Sequence, residues 1–119
     1  MRRPIIAGNW KMNKTIAEAR EMCAALAAAG LGRARAEVLV CPPFTSLFAA
    51  REALAGSGIG LGAQNVFWRT SGAYTGQVSP AMLADAGCSY VIIGHSETRG
   101  RFGVPEEGFT EEVLSLIHI

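Results

Sequence analysis

No block of basic residues, no cysteine pair at metal or redox spacing and no long apolar stretch occurs in the 119 residues of this chain. The formal charge is +1 and the eleven Lys and Arg are dispersed. That argues against a nucleic-acid partner, which needs clustered cations to displace counterions. Any anion bound here is expected to be small. Cys23, Cys41 and Cys88 are odd in number and form no C-x-x-C, so reduced core thiols are expected instead of a metal or redox site. No apolar segment approaches the ~20 residues of a transmembrane helix. The apolar run after Arg2 and Arg3, Pro4 to Ala7, is too short for a signal-peptide core. A cytoplasmic protein without a membrane partner is expected, in which the sequon Asn13-Lys14-Thr15 stays silent.

Apolar residues are abundant, at 50% of the chain, enough for one modest domain with a real core. Their arrangement repeats. Pro4 to Ala7 reads as a buried strand; Thr15-Ile16-Ala17-Glu18 is a capping box that opens an alanine-rich helix stopped by Gly30. Glu37 to Cys41 reads as a second strand closed by Pro42-Pro43, and Thr45 to Ala55 as a second helix. Ile59 to Ala63 is a third strand, followed by the polar loop QNVFWRTSGAYTGQVS. Ser79-Pro80 then forms an N-cap and N1 pair for a helix ending near Gly87, and Tyr90 to Gly94 is a fourth strand. This βαβαβαβ order implies an α/β fold with a parallel sheet, since parallel neighbours need helix-length connections.

Two motifs mislead. Gly58-Ile59-Gly60-Leu61-Gly62-Ala63 fits a dinucleotide fingerprint, but its glycines overlap the third strand instead of following one and opening a helix. Cys41 has no base near it in sequence and is expected to be a packed thiol, not a nucleophile.

The polar residues at strand ends form a coherent set. Asn9 and Lys11 follow the first strand; His95, Ser96 and Glu97 follow the fourth. In a parallel sheet these ends share one edge, so an amide, an ammonium, an imidazole and a carboxylate can converge. A lone lysine there is ordinarily solvated and a lone histidine ordinarily structural. Together they suggest a small anionic substrate with a carbonyl group.

GNWKMN, AQNV with SGAYTGQVS, and VIIGHSETR resemble, in order and spacing, the motifs of the triosephosphate isomerase family, from Arg3 to about Gly103. The resemblance implies a (β/α)8 TIM barrel of which about the first half, four βα units, is present; such barrels need ~250 residues. It implies interconversion of dihydroxyacetone phosphate and D-glyceraldehyde 3-phosphate, a step of glycolysis and gluconeogenesis, with a triose phosphate as the partner molecule and no metal or organic cofactor. Lys11 would hold the phosphate and favour the enediolate charge, and Asn9 would donate a hydrogen bond near the carbonyl oxygen. His95 would be the neutral electrophile that polarises the carbonyl. Glu97 would pair with Lys11, and Ser96 would hold the resting base. That base, a glutamate on a closing lid after the sixth strand, is not expected within these residues.

A homodimer is also implied, with Phe67, Trp68 and Tyr74 buried against a partner and Thr75 reaching the neighbour's Asn9 and Lys11. The family commonly reads GAYTGE and HSERR where this chain has Gln77 and Thr98. The resemblance implies that in relatives the two residues so replaced approach each other across that interface, so that their joint loss leaves no unpaired buried charge.

RFGVPEEGFTEE looks like an insertion relative to the common family form. Residues 1–113 read as the half-barrel and 114–119, Leu114 to Ile119, as an anomalous tail of non-native coding sequence. The tail can be written as CTGTCTCTTATACACATC, which resembles the transposase end sequence used in preparing sequencing libraries. The pattern suits neither an amphipathic helix nor a polar loop, although Thr110 could cap a short helix with Glu111 and Glu112. No role falls to His118. Alternative readings are another phosphate-binding barrel isomerase or epimerase, or a non-enzymatic half-barrel. The combination of Asn9, Lys11, His95 and Glu97 favours the first reading, because generic barrels place phosphate mainly after strands seven and eight.

Overall fold

The structure, a computed structural model, describes residues 2–100. The expected insertion, the Thr110 cap and the tail 114–119 lie outside the described residues. Strand β1 spans Ile5–Asn9, helix α1 Ile16–Ala28, β2 Glu37–Cys41, α2 Leu47–Leu54, β3 Gly60–Ala63, α3 Pro80–Asp85, β4 Tyr90–Val91 and α4 Ser96–Gly100. The four strands form one sheet in the order β1-β2-β3-β4, with every pair parallel.

Local chemistry sets most boundaries. The Thr15 hydroxyl accepts from the Glu18 amide and the Glu18 carboxylate accepts from the Thr15 amide, closing the capping box that opens α1. Gly30, at φ +74°, turns the chain out of it. Ser79 accepts from the Met82 amide, with Pro80 at the first position of α3. α2 begins two residues later than its sequence suggests, because Phe44–Ser46 form a tighter 3-10 turn first.

Two strands depart from expectation. β1 runs two residues further, carrying Gly8 and Asn9 into the ladder, where Asn9 aligns with Cys41. It is also not buried: Ile5 and Ile6 are 56% and 60% exposed. The reason is its position, since β1 has one neighbouring strand and its other edge is unpaired among the described residues. β4 is shorter than expected. After Val91 one more ladder bond forms, from the Ile92 amide to the Ala63 carbonyl at 2.9 Å, and Gly94 at φ +64° then turns the chain away.

The core lies between the sheet and its helices, where Val40 and Leu61 pack with Cys23, Leu47, Ala50, Leu54 and Leu83. On the opposite sheet face β3 presents only glycine. A Cβ on Gly60 would lie 3.2 Å from Leu39 Cβ, and one on Gly62 would lie 2.7 Å from Cys41 Sγ. Leu39, Cys41 and Tyr90 fill that space. Gly60 and Gly62 therefore serve sheet packing, Gly58 at φ +81° turns the chain ahead of β3 against the Gly32 backbone, and none of the three opens a helix.

Candidate active site

The ends of the parallel strands meet at a cleft of about 250 Å³ lined by Asn9, Lys11, Gln64, His95 and Glu97, with Met12, Pro43, Phe44, Asn65 and Thr98 completing its walls. β1 delivers Asn9 at its last position. The Asn9 side-chain oxygen accepts from the Lys11 amide at 2.9 Å, a turn that folds the chain back over the sheet edge. Lys11 takes a left-handed backbone, φ +56°, and its ammonium reaches the Glu97 carboxylate at 2.9 Å. Side-chain exposures of 54% and 36% leave this pair open to water, so it adds at most about 1 kcal/mol to stability. Its consequence is geometric: the ammonium is held over the cleft.

His95 follows β4 and is more enclosed, with 28% of its side chain exposed. The Glu97 amide donates to His95 Nδ1 at 3.1 Å, whereas the Glu97 carboxylate stands 3.6 Å from the same nitrogen. One nitrogen cannot both accept the first contact and donate to the second, and only the first is within hydrogen-bonding distance. In the tautomer that makes this contact Nδ1 carries the lone pair and the ring proton sits on Nε2. Ser96 is exposed at the first position of α4.

The structure thus brings Asn9, Lys11, His95 and Glu97 to one cleft and holds Thr75 elsewhere, exposed on the long loop. On that loop Phe67 stacks on Trp68 and Tyr74, with ring centroids at 5.7 and 4.5 Å, and the Arg69 guanidinium lies 4.1 Å from the Trp68 ring. Tyr74 remains 41% exposed. Cys41 is buried at the end of β2, and burial, with a smaller contribution from Cys88, pushes its thiol up to about 11. It is no nucleophile near neutral pH. Among the described residues no group of three His, Cys, Asp or Glu side chains could hold a metal ion, and no helix is long and apolar enough to cross a membrane.

Sequence reasoning passed over Gln64 as a site residue. It follows β3 directly, and its Nε2 donates to the carbonyls of Lys11 and Cys41, both at 2.8 Å. The strand-end rule that singles out Lys11 applies to it equally. Asn65, next in sequence, holds a buried side-chain oxygen without a hydrogen-bond partner among the described residues.

Comparison with known proteins gives this geometry its context. The family model for triosephosphate isomerase matches residues 4–118. The triosephosphate isomerase of Moorella thermoacetica is 55% identical over 115 residues, covering 97% of this chain and 46% of the relative. That of Endomicrobium trichonymphae is 51% identical over 117 residues, covering 98% and 47%. A crystal structure of triosephosphate isomerase from Bartonella henselae superposes with a TM-score of 0.82 at 43% identity, covering 98% of this chain and 48% of that one. The chain spans about half the length of the relatives it matches. With a family match across nearly its whole length, and strands whose ends gather the motifs that resemble the family's, the chain belongs to the triosephosphate isomerase family.

Proposed function

We propose that this chain supplies, within a complete barrel, the substrate-polarising half of a triose-phosphate isomerase site that interconverts dihydroxyacetone phosphate and D-glyceraldehyde 3-phosphate. The observation that carries the reading is the convergence of the Lys11 ammonium, the Asn9 amide and the His95 imidazole on one cleft. Lys11 meets the phosphate and the charge that develops on the enediolate. Asn9 and the Nε2–H of His95 donate toward the carbonyl oxygen, where negative charge grows in the transition state. Glu97 keeps the ammonium in place, and Ser96 holds the resting base. The glutamate that removes the substrate proton belongs to the half of the family barrel that this chain does not span. A proton shift beside a carbonyl needs a base and an electrophile, so the proposed reaction uses no metal or organic cofactor.

The test is a completed barrel, residues 1–100 joined to the second half of the Moorella thermoacetica relative. It is expected to isomerise triose phosphates in a coupled assay at a rate that EDTA leaves unchanged. Activity lost on chelation and restored by zinc would refute the cofactor-free chemistry, and absence of turnover would refute the assignment.

The active form is proposed to be a homodimer, in a cytoplasmic setting. The aromatic loop supports this: Tyr74 stays partly exposed beside Phe67 and Trp68, and Thr75 is exposed on the surface. Thr75→Arg in the completed barrel is expected to weaken the dimer and the activity together. A fully active variant that sediments as an unaltered dimer would exclude this interface.

A further inference from the structure

The basic residues are dispersed along the sequence, yet the pairing of β1 with β2 gathers four of them. Ile5 aligns with Glu37, so the residues that lead into these strands, Arg2 and Arg3 before one and Arg33 and Arg35 before the other, meet at the sheet end opposite the cleft. Arg3 lies across the second segment. Its Nε donates to the Arg35 carbonyl at 3.0 Å, and its Nη2 to the carbonyls of Ala34 and Ala36 at 3.1 and 3.3 Å. These acceptors are neutral, so the charge of Arg3 stays uncompensated and Nη1 is left for an outside acceptor. Arg2, Arg33 and Arg35 are exposed and join no ion pair among the described residues. Glu37 is the one acid in either segment and pairs with none of the four.

The backbone beneath these side chains is held from two sides. A Cβ on Gly32 would overlap the Ser57 carbonyl, and one on Gly58 would stand 2.9 Å from the Gly32 oxygen, so the loop before β2 is clasped backbone to backbone against the chain entering β3. Arg3 grips its other side through the three carbonyls. Arg33 and Arg35 therefore project from a fixed platform, which lowers the ordering cost of binding through them.

We propose that this end of the sheet is a binding site for a compact polyphosphate, inorganic or borne on a nucleotide. Guanidinium forks match phosphate oxygens, often two at a time. Size favours a short anion: neighbouring strands stand about 4.8 Å apart, so cations at the starts of two of them cover little more, whereas a nucleic acid needs a longer track of cations. The site is separate from the cleft. Arg3 precedes β1 and Lys11 follows it, so the five residues of the strand, roughly 17 Å, lie between them. The proposal therefore does not rest on the isomerase reading.

Its test is calorimetric titration of the completed barrel in a Lys11→Met background, which takes the cleft out of the measurement. Inorganic tripolyphosphate is expected to bind with an affinity that falls as salt rises. Hydrogen bonds to charged groups are each worth about tenfold or more, so Arg33→Gln with Arg35→Gln is expected to weaken binding by roughly 10- to 100-fold. Should that double change lower the urea midpoint, Arg2→Gln takes its place, with a loss of several-fold expected. ATP bound as tightly as tripolyphosphate identifies the phosphate chain as the ligand, and ATP bound more tightly identifies a nucleotide; both results support the site. No binding, binding unchanged in the variants, or citrate bound as tightly as tripolyphosphate would overturn it. So would a short single-stranded oligonucleotide bound more tightly than either phosphate compound, in favour of a nucleic-acid surface.

Discussion

His95 and Lys11 are expected to fail differently when changed, because they touch different parts of the proposed substrate. In the proposed complex the Nε2–H of His95 faces the carbonyl, and its hydrogen bond strengthens only as charge develops. His95→Gln in the completed barrel is therefore expected to lower kcat by roughly two to four orders of magnitude with a small change in KM. Lys11→Met removes a contact made before and during the reaction, so KM and kcat deteriorate together. A His95→Gln variant with near-parental kcat, under conditions where chemistry limits turnover, would remove the electrophile assignment. Far from the cleft, Glu18 supplies a pH-dependent test of the capping box. The Thr15 backbone amide, then its hydroxyl, and Lys14 more weakly hold the Glu18 carboxyl below its ordinary value of 4.5. A depressed carboxyl stabilises the fold above its unfolded value and loses that contribution as pH falls through its folded one. Thr15→Ala should thus cost more in urea denaturation at pH 7 than at pH 3. Equal costs at the two pH values would show that what the hydroxyl contributes does not depend on the charge of Glu18.

At the scale of elements, the glycines of β3 make the sharpest claim about packing. A Cβ on Gly62 would stand 2.7 Å from Cys41 Sγ and 3.2 Å from Leu39 Cδ1. Gly62→Ala is expected to destabilise the completed barrel by about 1–3 kcal/mol. Cys41→Ala in the same protein should return much of the loss, because it removes the nearer atom. Additive costs in denaturation would mean that the clash is not with Cys41. The bounds of β2 were legible because an acid, four apolar residues and two prolines leave little choice of register or end. The start of α1 was equally legible, since a capping box is a local device. The exposure of β1 was not, because an apolar run signals a strand without saying whether both of its edges find partners. Nor was the end of β4 legible, since the sequence stays apolar through Ile93 while pairing stops with the end of β3. In the cleft, the charged and aromatic members could be picked out by their chemistry. Gln64 stands at a strand end like Asn9 and Lys11, so its position was legible, but its carbonyl partners lie 53 and 23 residues away in sequence and only the fold brings them to it.

At the scale of the whole molecule, the decisive feature among the described residues is an open sheet where the family has a closed barrel. β1 and β4 each have one neighbour among the described residues, and Ile5, Ile6, Val91 and Ile93 are between 36% and 60% exposed. An apolar groove along β4 and α3, lined by Val66, Leu83, Tyr90 and Ile93, is likewise open. Unpaired edge groups beside apolar side chains template association with other chains. The 119-residue chain made alone is therefore expected to lack isomerase activity and to form no stable native monomer. The two expectations have separate causes. Activity is expected to fail because, among the described residues, no group is placed to remove a proton from the proposed substrate, so the Lys11 and His95 geometry is expected to bind a phosphate weakly at most. Stability fails because the inner face of the sheet lacks the side-chain layers that close a barrel. A coupled assay on purified chain tests the first, with a His95→Gln control to identify carried-over host enzyme. Denaturation at several protein concentrations tests the second. Turnover abolished by the control substitution would show that the half-barrel carries its own base. A cooperative transition independent of concentration would show that four parallel strands with two open edges suffice for a native monomer.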